Sequence, residues 1–433
     1  MNAAMPKRVA KKTQKIYKDT LPNGLVVISE PMPHVHSVSV GIWVRSGSRR
    51  EPAELNGISH FIEHMVFKGT RRRTAEDIAR EVDSVGGMLD AFTAKEMVCF
   101  NTKVLGEHLP RAFDIIADMA LEPKFEQEDI AREQSVILEE IRMTQDNPED
   151  LVHELFSQNL WASHAIGRPI LGTPETVSSF TRDHLQDWFR ASYAPNNLVI
   201  TAAGNLTQQQ LLELVTERFA GLDSVDEGGA DPAPKPAPHV TLRSKQELEQ
   251  VHICVGLPAF PMTDRRRFAV SVLNNVLGGG MSSRLFQNVR ERLGLAYAIF
   301  SELNSYKDAG VLSVYAGTSL ETAGKLVECV LAEFRRMRDE KMPDDELRRA
   351  KDHLKGATLL ALESSGQRMN SLARYHIYFN RHFTPDELIT MLEAVTAEEI
   401  QAIAQEFFQS DRLAASVVGS LNGFSLTRDQ LVV

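Results

Sequence analysis

The run Asn197-Leu198-Val199-Ile200-Thr201-Ala202-Ala203-Gly204-Asn205-Leu206 returns near the end of the chain as Arg412-Leu413-Ala414-Ala415-Ser416-Val417-Val418-Gly419-Ser420-Leu421. Each is a short apolar stretch closed by Gly, the pattern of a buried strand running into a turn. Gly204 and Gly419 are 215 apart. So are Thr181 and Thr396, which open Thr181-Arg182-Asp183-His184-Leu185 and Thr396-Ala397-Glu398-Glu399-Ile400. Glu128-Asp129-Ile130 faces Asp345-Glu346-Leu347 at an offset of 217. A register sustained over three segments implies two tandem copies of one unit of about 200 residues. Strand and helix signals mix within each copy. The expected fold class is therefore α+β: two homologous domains, each an antiparallel-rich sheet packed with helices.

Between the copies, Asp223–His239 is rich in Pro, Gly and Ala and has no apolar periodicity, the composition of an extended, semi-stiff linker. The expected layout is a basic tail over 1–18, a first domain over 19–222, a linker over 223–240 and a second domain over 241–433. The linker would let the two domains close as a clamshell. In the first copy, Leu21-Pro22-Asn23-Gly24 is a turn ahead of a strand, and Val38, Val40, Ile42 and Val44 alternate along a second strand. Met88–Val104 reads as two strands. Helices are expected from Thr74, over Leu109–Met119, Glu126–Met143 and Glu149–Leu160, and over Thr181–Ala191.

The segment Gly57-Ile58-Ser59-His60-Phe61-Ile62-Glu63-His64-Met65-Val66-Phe67-Lys68-Gly69-Thr70 reads as one helix. His60 and His64 are one turn apart and share a face, with Glu63 beside them. Two imidazoles can hold a zinc ion, and a neighbouring carboxylate can handle the proton of water. The order H-x-x-E-H is the inverzincin signature. Set among Ile58, Phe61, Ile62, Met65, Val66 and Phe67, three polar groups would be buried unsatisfied unless something bound them. At the matching place the second copy has Val270-Ser271-Val272-Leu273-Asn274-Asn275-Val276-Leu277 and then Gly278-Gly279-Gly280-Met281, with no histidine pair. Only the first copy can hold a metal in this way.

A catalytic zinc site usually has three protein ligands and an open position. Candidates for the third lie on the helix Glu126–Met143: Glu133, Glu139 and Glu140. Glu133 and Glu140 share a face two turns apart, and Glu139 points elsewhere. From the residues alone the choice stays open.

Composition narrows the class. The chain has 433 residues, 48 basic against 58 acidic, for a net charge of −10. That balance disfavours nucleic acid as a partner. No apolar run reaches membrane-spanning length, so no membrane association is expected. Cys99, Cys254 and Cys329 are odd in number and scattered, as reduced core cysteines would be. Met1–Lys18 carries Lys7, Arg8, Lys11, Lys12, Lys15 and Lys18, no acid and no apolar core. It is expected to be a flexible tail, not a secretory signal. The expected location is the bacterial cytoplasm, with the mitochondrial matrix as the alternative.

The motif His60-Phe61-Ile62-Glu63-His64, with Glu140 placed 76 residues after His64 inside Val136-Ile137-Leu138-Glu139-Glu140-Ile141, resembles the pitrilysin-type zinc metallopeptidases. Within these it is most similar to the mitochondrial processing peptidase β-subunit and its bacterial homologues. The likeness spans nearly the whole chain. It implies that His60, His64 and Glu140 hold Zn²⁺, that Glu63 is the catalytic base and that Glu133 supports the ligands. It implies that Arg290 and Tyr297 reach the substrate, although from the residues alone Arg290 is a surface charge and Tyr297 a core aromatic. It implies that Asp90-Ala91-Phe92 lie on an edge strand that pairs with peptide backbone. Many members have Asn at the place of Asp90, which here offers only an acceptor.

The expected activity is a zinc-dependent endopeptidase acting on unfolded peptides or presequences enclosed in a chamber. The resemblance also implies that the chain works as a dimer, with an identical copy or with a related chain. Two rival expectations are a non-catalytic scaffold subunit and a peptide-binding chaperone with structural zinc.

Overall fold

The computed structural model describes residues 15–225 and 231–433. Most of the basic tail lies outside the described residues, as does the 226–230 part of the linker. Tyr17 and Lys18, read as tail, open the first strand instead.

The first unit is built on strands β1 (Tyr17–Thr20), β2 (Val26–Pro31), β3 (Ser37–Val44), β4 (Met88–Thr93), β5 (Val98–Leu105) and β6 (Leu198–Gly204). They run in the order β1-β2-β6-β3-β5-β4, antiparallel except for β2 beside β6. Its helices are α1 (Ile58–Val66), α2 (Ala75–Asp83), α3 (Leu109–Leu121), α4 (Gln127–Asp146), α5 (Pro148–Leu160), α6 (Pro174–Ser179), α7 (Arg182–Ser192) and α8 (Gln208–Phe219).

The second unit has strands β7 (Val240–Ser244), β8 (Val251–Ala259), β9 (Ala296–Ser305), β10 (Gly310–Thr318) and β11 (Ala414–Gly419), in the order β7-β11-β8-β10-β9. Only β7 and β11 are parallel. Its helices are α9 (Arg267–Gly278), α10 (Leu320–Asp339), α11 (Asp344–Ala361), α12 (Ser365–Phe379), α13 (Pro385–Ala394) and α14 (Ala397–Phe407). Set side by side, β2-β6-β3-β5-β4 and β7-β11-β8-β10-β9 are the same sheet. The repeated strand run of the sequence is β6 and β11, each second to the parallel edge of that sheet. Thr181 and Thr396 cap α7 and α14 alike, accepting from His184 N and Glu399 N.

Each sheet buries both faces. On one face of the first, Val38, Val40, Ile42 and Val44 meet Phe61 and Ile62 of α1 and Phe113 and Ile116 of α3. The opposite face, with Trp43, Cys99 and Val199, is covered by Met369, Leu372 and Ala373, which belong to α12 of the second unit. The exchange is mutual. Leu151, Val152 and Phe156 of α5 cover Cys254, Tyr315 and Val418 on the second sheet. The helices α5 and α12 begin at 148 and 365, and α4 and α11 at 127 and 344, so both pairs keep the 217 offset.

Two glycines mark where the exchanged helices press in. A Cβ on Gly41 would sit 3.0 Å from Met369 Sδ, and one on Gly256 would sit 2.8 Å from Phe156 Cζ. A larger residue at Gly256 would force Phe156 or the neighbouring strand to move, and one at Gly41 would push the Met369 side chain aside. The linker residues 231–239 have no regular structure but are seated on the first unit: Ala237 N donates to Leu160 O, and the Pro232 carbonyl lies 3.0 Å from His164 Nε2. Cys99, Cys254 and Cys329 are all free thiols.

Candidate metal centre

The helix α1 exists where it does because of its entry. Gly57 takes a left-handed φ of 97°, and a Cβ there would lie 2.6 Å from Leu171 O. Only glycine fits both demands. The buried carboxylate of Glu51 then takes the first backbone donors, accepting from Gly57 N at 2.7 Å and Ser59 N at 2.9 Å, and from the Asn56 side chain at 3.1 Å. A negative charge there also suits the positive end of the helix. Phe61, Ile62 and Met65 face the core. His60, Glu63 and His64 lie on the other side and are only partly buried, so the site is less enclosed than the apolar neighbours suggested.

The histidine rings sit 4.7 Å apart by their centroids. Across from them α4 supplies Glu140. Its two carboxylate oxygens split between the rings, one 3.8 Å from His60 Nε2 and the other 3.6 Å from His64 Nε2. One donor atom from each of the three residues lies within 4.8 Å of the others. These gaps are too long for hydrogen bonds. Two ligand atoms bound tetrahedrally at about 2.0–2.1 Å from zinc stand about 3.4 Å apart, so the donor set fits a zinc-sized cation.

The protonation states suit it. Burial, with His64 close by, lowers the His60 pKa to about 3, so the ring is neutral at ordinary pH and its lone pair is free. Glu133, two turns before Glu140 on the same face of α4, is buried and places Oε2 3.0 Å from His64 Nδ1. That contact assigns the proton to Nδ1 and turns the Nε2 lone pair toward Glu140. The other Glu133 oxygen pairs with Lys68 Nζ at 2.6 Å. Glu139 does point away, exposed and paired with Arg142. Glu63 is held by Thr93, whose hydroxyl donates to Oε2 at 2.6 Å. Burial raises the Glu63 pKa, and the Thr93 bond opposes the rise.

The remaining sequence candidates fall into two groups. Asp90, Ala91 and Phe92 lie on β4, which pairs only with β5 among the described residues and ends the sheet. Asp90 and Phe92 point to the exposed side, Ala91 to the half-buried one, and Phe92 packs edge-on against Trp43. Arg290 sits in a π-helical turn, Phe286–Arg292, and Tyr297 near the start of β9. The Arg290 guanidinium stacks 4.6 Å over the Tyr297 ring. Tyr297 is 79% exposed, which corrects its reading from the residues alone as a core aromatic. Among the described residues, neither Arg290 nor Tyr297 bonds to His60, Glu63, His64 or Glu140.

Three residues around the centre escaped the sequence reading. Thr93 was readable as a strand end, and alternation gives it the face of Ala91. Lys68 carried no signal because its partner Glu133 is on another helix, and Glu51 because it caps α1 from outside the helix, several residues before its start.

Residues 26–174 match the family model described as insulinase, peptidase family M16, and residues 179–354 match the one described as the peptidase M16 inactive domain. An uncharacterized zinc protease of Streptomyces coelicolor is 38% identical over 95% of this chain and 91% of its own length. The uncharacterized zinc protease YmxG of Bacillus subtilis is 39% identical over 94% of this chain and 99% of its own. Among solved structures, a protease from Helicobacter pylori shares the fold, with a TM-score of 0.86 at 22% identity over 94% of this chain and 99% of its own. The chain therefore belongs to peptidase family M16, and its relatives bear the name zinc protease.

Proposed function

We propose that this chain is a zinc metalloendopeptidase that cleaves unfolded peptides or presequences, with one zinc per chain at His60, His64 and Glu140. The observation that carries the reading is the convergence of those three donors from α1 and α4, with the Glu63 carboxylate on the same face. When bound, zinc would polarise the scissile carbonyl and acidify water. Glu63 takes a proton from the attacking water and returns it to the leaving amine. Glu133 fixes the His64 tautomer and ring orientation. The free edge of β4, at Asp90-Ala91-Phe92, pairs with peptide backbone, which tolerates many side chains. Arg290 and Tyr297 contribute contacts to the bound peptide from the second unit.

The likeness to the processing peptidase β-subunit and the names of the relatives support this reading. A dimer, of identical or related chains, is the assembly that likeness implies. A cytoplasmic location is part of this proposal, the named relatives being bacterial. No helix of the described residues is long and apolar enough to cross a membrane.

One observation favours the rival reading of a scaffold or peptide-binding subunit: the match of residues 179–354 to an inactive-domain model. That stretch takes in α7, β6 and α8 of the first unit and the second unit as far as α11, but none of His60, Glu63, His64 and Glu140 lies in it. Glu63→Gln discriminates. A peptidase keeps its zinc and loses about 10²- to 10⁴-fold in kcat on a peptide library. A structural or scaffold site shows no functional change.

A further inference from the structure

We propose that Thr93 is a positioning residue that ties Glu63 to the edge strand, so that one stretch of backbone both pairs with the peptide and sets the base. The proposal rests on the peptidase reading for the role of Glu63, but its geometry is independent of that role. Among the described residues, the Thr93 hydroxyl makes the only hydrogen bond to the Glu63 carboxylate, 2.6 Å to Oε2. At that length it is a strong, charge-assisted bond. It occupies one oxygen and leaves the other for a water.

Thr93 is itself held on three sides. It is the last residue of β4 and pairs with Val98 of β5. The turn after it is closed by Ala94 N donating to Met97 O at 2.8 Å. Glu96 in that turn accepts from Arg49 at 2.5 Å, from Lys307 N at 3.0 and 3.1 Å and from the Tyr378 hydroxyl at 2.7 Å. Arg49 in turn donates to Asp308 at 2.9 and 3.0 Å. Lys307 and Asp308 lie between β9 and β10, and Tyr378 lies on the exchanged helix α12. Both units therefore grip the turn that places Thr93.

The β-branched side chain adds its own restriction at χ1. With that hydroxyl removed, no other hydrogen bond among the described residues holds the Glu63 carboxylate in place. A base displaced by about 1 Å costs about 100-fold in rate.

The test compares Thr93→Val, which keeps the shape and removes the hydroxyl, with Thr93→Ser, which keeps the hydroxyl. Steady-state kinetics on a peptide library, zinc content and a crystal structure of each full-length variant are measured. Thr93→Val is expected to lose about 100-fold in kcat with KM within about 2-fold and zinc content unchanged. Thr93→Ser is expected to return to within about 3-fold of the parent. In the Thr93→Val crystal the Glu63 carboxylate should have left its parental position. A Thr93→Val protein with Glu63 in place and full kcat overturns the proposal. If the parent loaded with zinc cleaves nothing, the peptidase reading fails, and the Glu63 position in Thr93→Val still decides whether Thr93 is its anchor.

Discussion

The helix pair α1 and α4 of the first unit and the pair α9 and α11 of the second occupy the same place in two copies of one fold. In the first, three donors face one another across gaps of 3.6 and 3.8 Å, with a buried Glu behind them. In the second, Asn275 Nδ2 donates directly to His353 Nδ1 at 2.8 Å, and the pair is closed. Carried over at the 217 offset, Glu133 and Glu140 become Ala350 and Ala357. The backbone is therefore permissive. A few side chains decide whether the helix pair presents separated donors to a cation or satisfies itself.

The comparison extends to the outer faces of the sheets, where each unit lends a helix to the other. If that exchange is what joins the units, its anchors should be costly to remove. Phe156→Ala, under the second sheet, is expected to cost about 3–5 kcal/mol, and Met369→Ala, under the first, about 2–5 kcal/mol, by chemical denaturation. Losses below about 1 kcal/mol at both would show that the exchanged helices are loosely docked.

A pH effect separates the two anchors. His376 on α12 is buried, with Nδ1 unpartnered among the described residues. Burial, together with Lys18, His382 and Arg45 nearby, lowers its pKa to about 4. The unfolded chain, with an ordinary value near 6.5, then binds more protons between those limits. Stability should fall as pH drops from about 6.5 toward 4, by up to about 3 kcal/mol, and be fully present above that window. His376→Leu should flatten this limb in a denaturation series across pH. An unchanged limb would remove His376 from the account.

Behind the metal site, Glu133→Gln should weaken zinc binding about 10- to 100-fold in a chelator competition, since it loosens the hold on His64 Nδ1. The smallest effect is expected in the closed pair. Asn275→Ala should cost about 1 kcal/mol of stability and leave zinc content untouched. Lost zinc in Asn275→Ala would break the contrast between the units.

Much of this was legible in the chain. The repeat of Asn197–Leu206 at Arg412–Leu421 exposed two copies because a buried strand keeps its small, apolar pattern. His60, Glu63 and His64 could be grouped because one helical turn fixes which side chains are neighbours. The choice of Glu140 over Glu133 and Glu139 needed the family likeness, since a helix face alone admits two of the three. The exchange of α5 and α12 was not legible. An amphipathic pattern tells which face of a helix is apolar, not which sheet that face covers. Thr93, Lys68 and Glu51 stayed hidden because no pattern pairs them with their partners: Thr93 and Lys68 reach other elements, and Glu51 caps α1 from the loop before it. Tyr297 misled because an aromatic in an apolar run usually packs inward, whereas here it opens an edge strand beside Arg290.

The direct test of the account is the metal itself. Purified protein and its Glu140→Gln variant are analysed for zinc, and crystals of the parent are examined by anomalous diffraction at the zinc edge. One zinc per parent chain, located between His60, His64 and Glu140 and lost in Glu140→Gln, is the predicted result. A parent that binds no zinc at those residues, or a Glu140→Gln variant that retains it in full, would contradict the account.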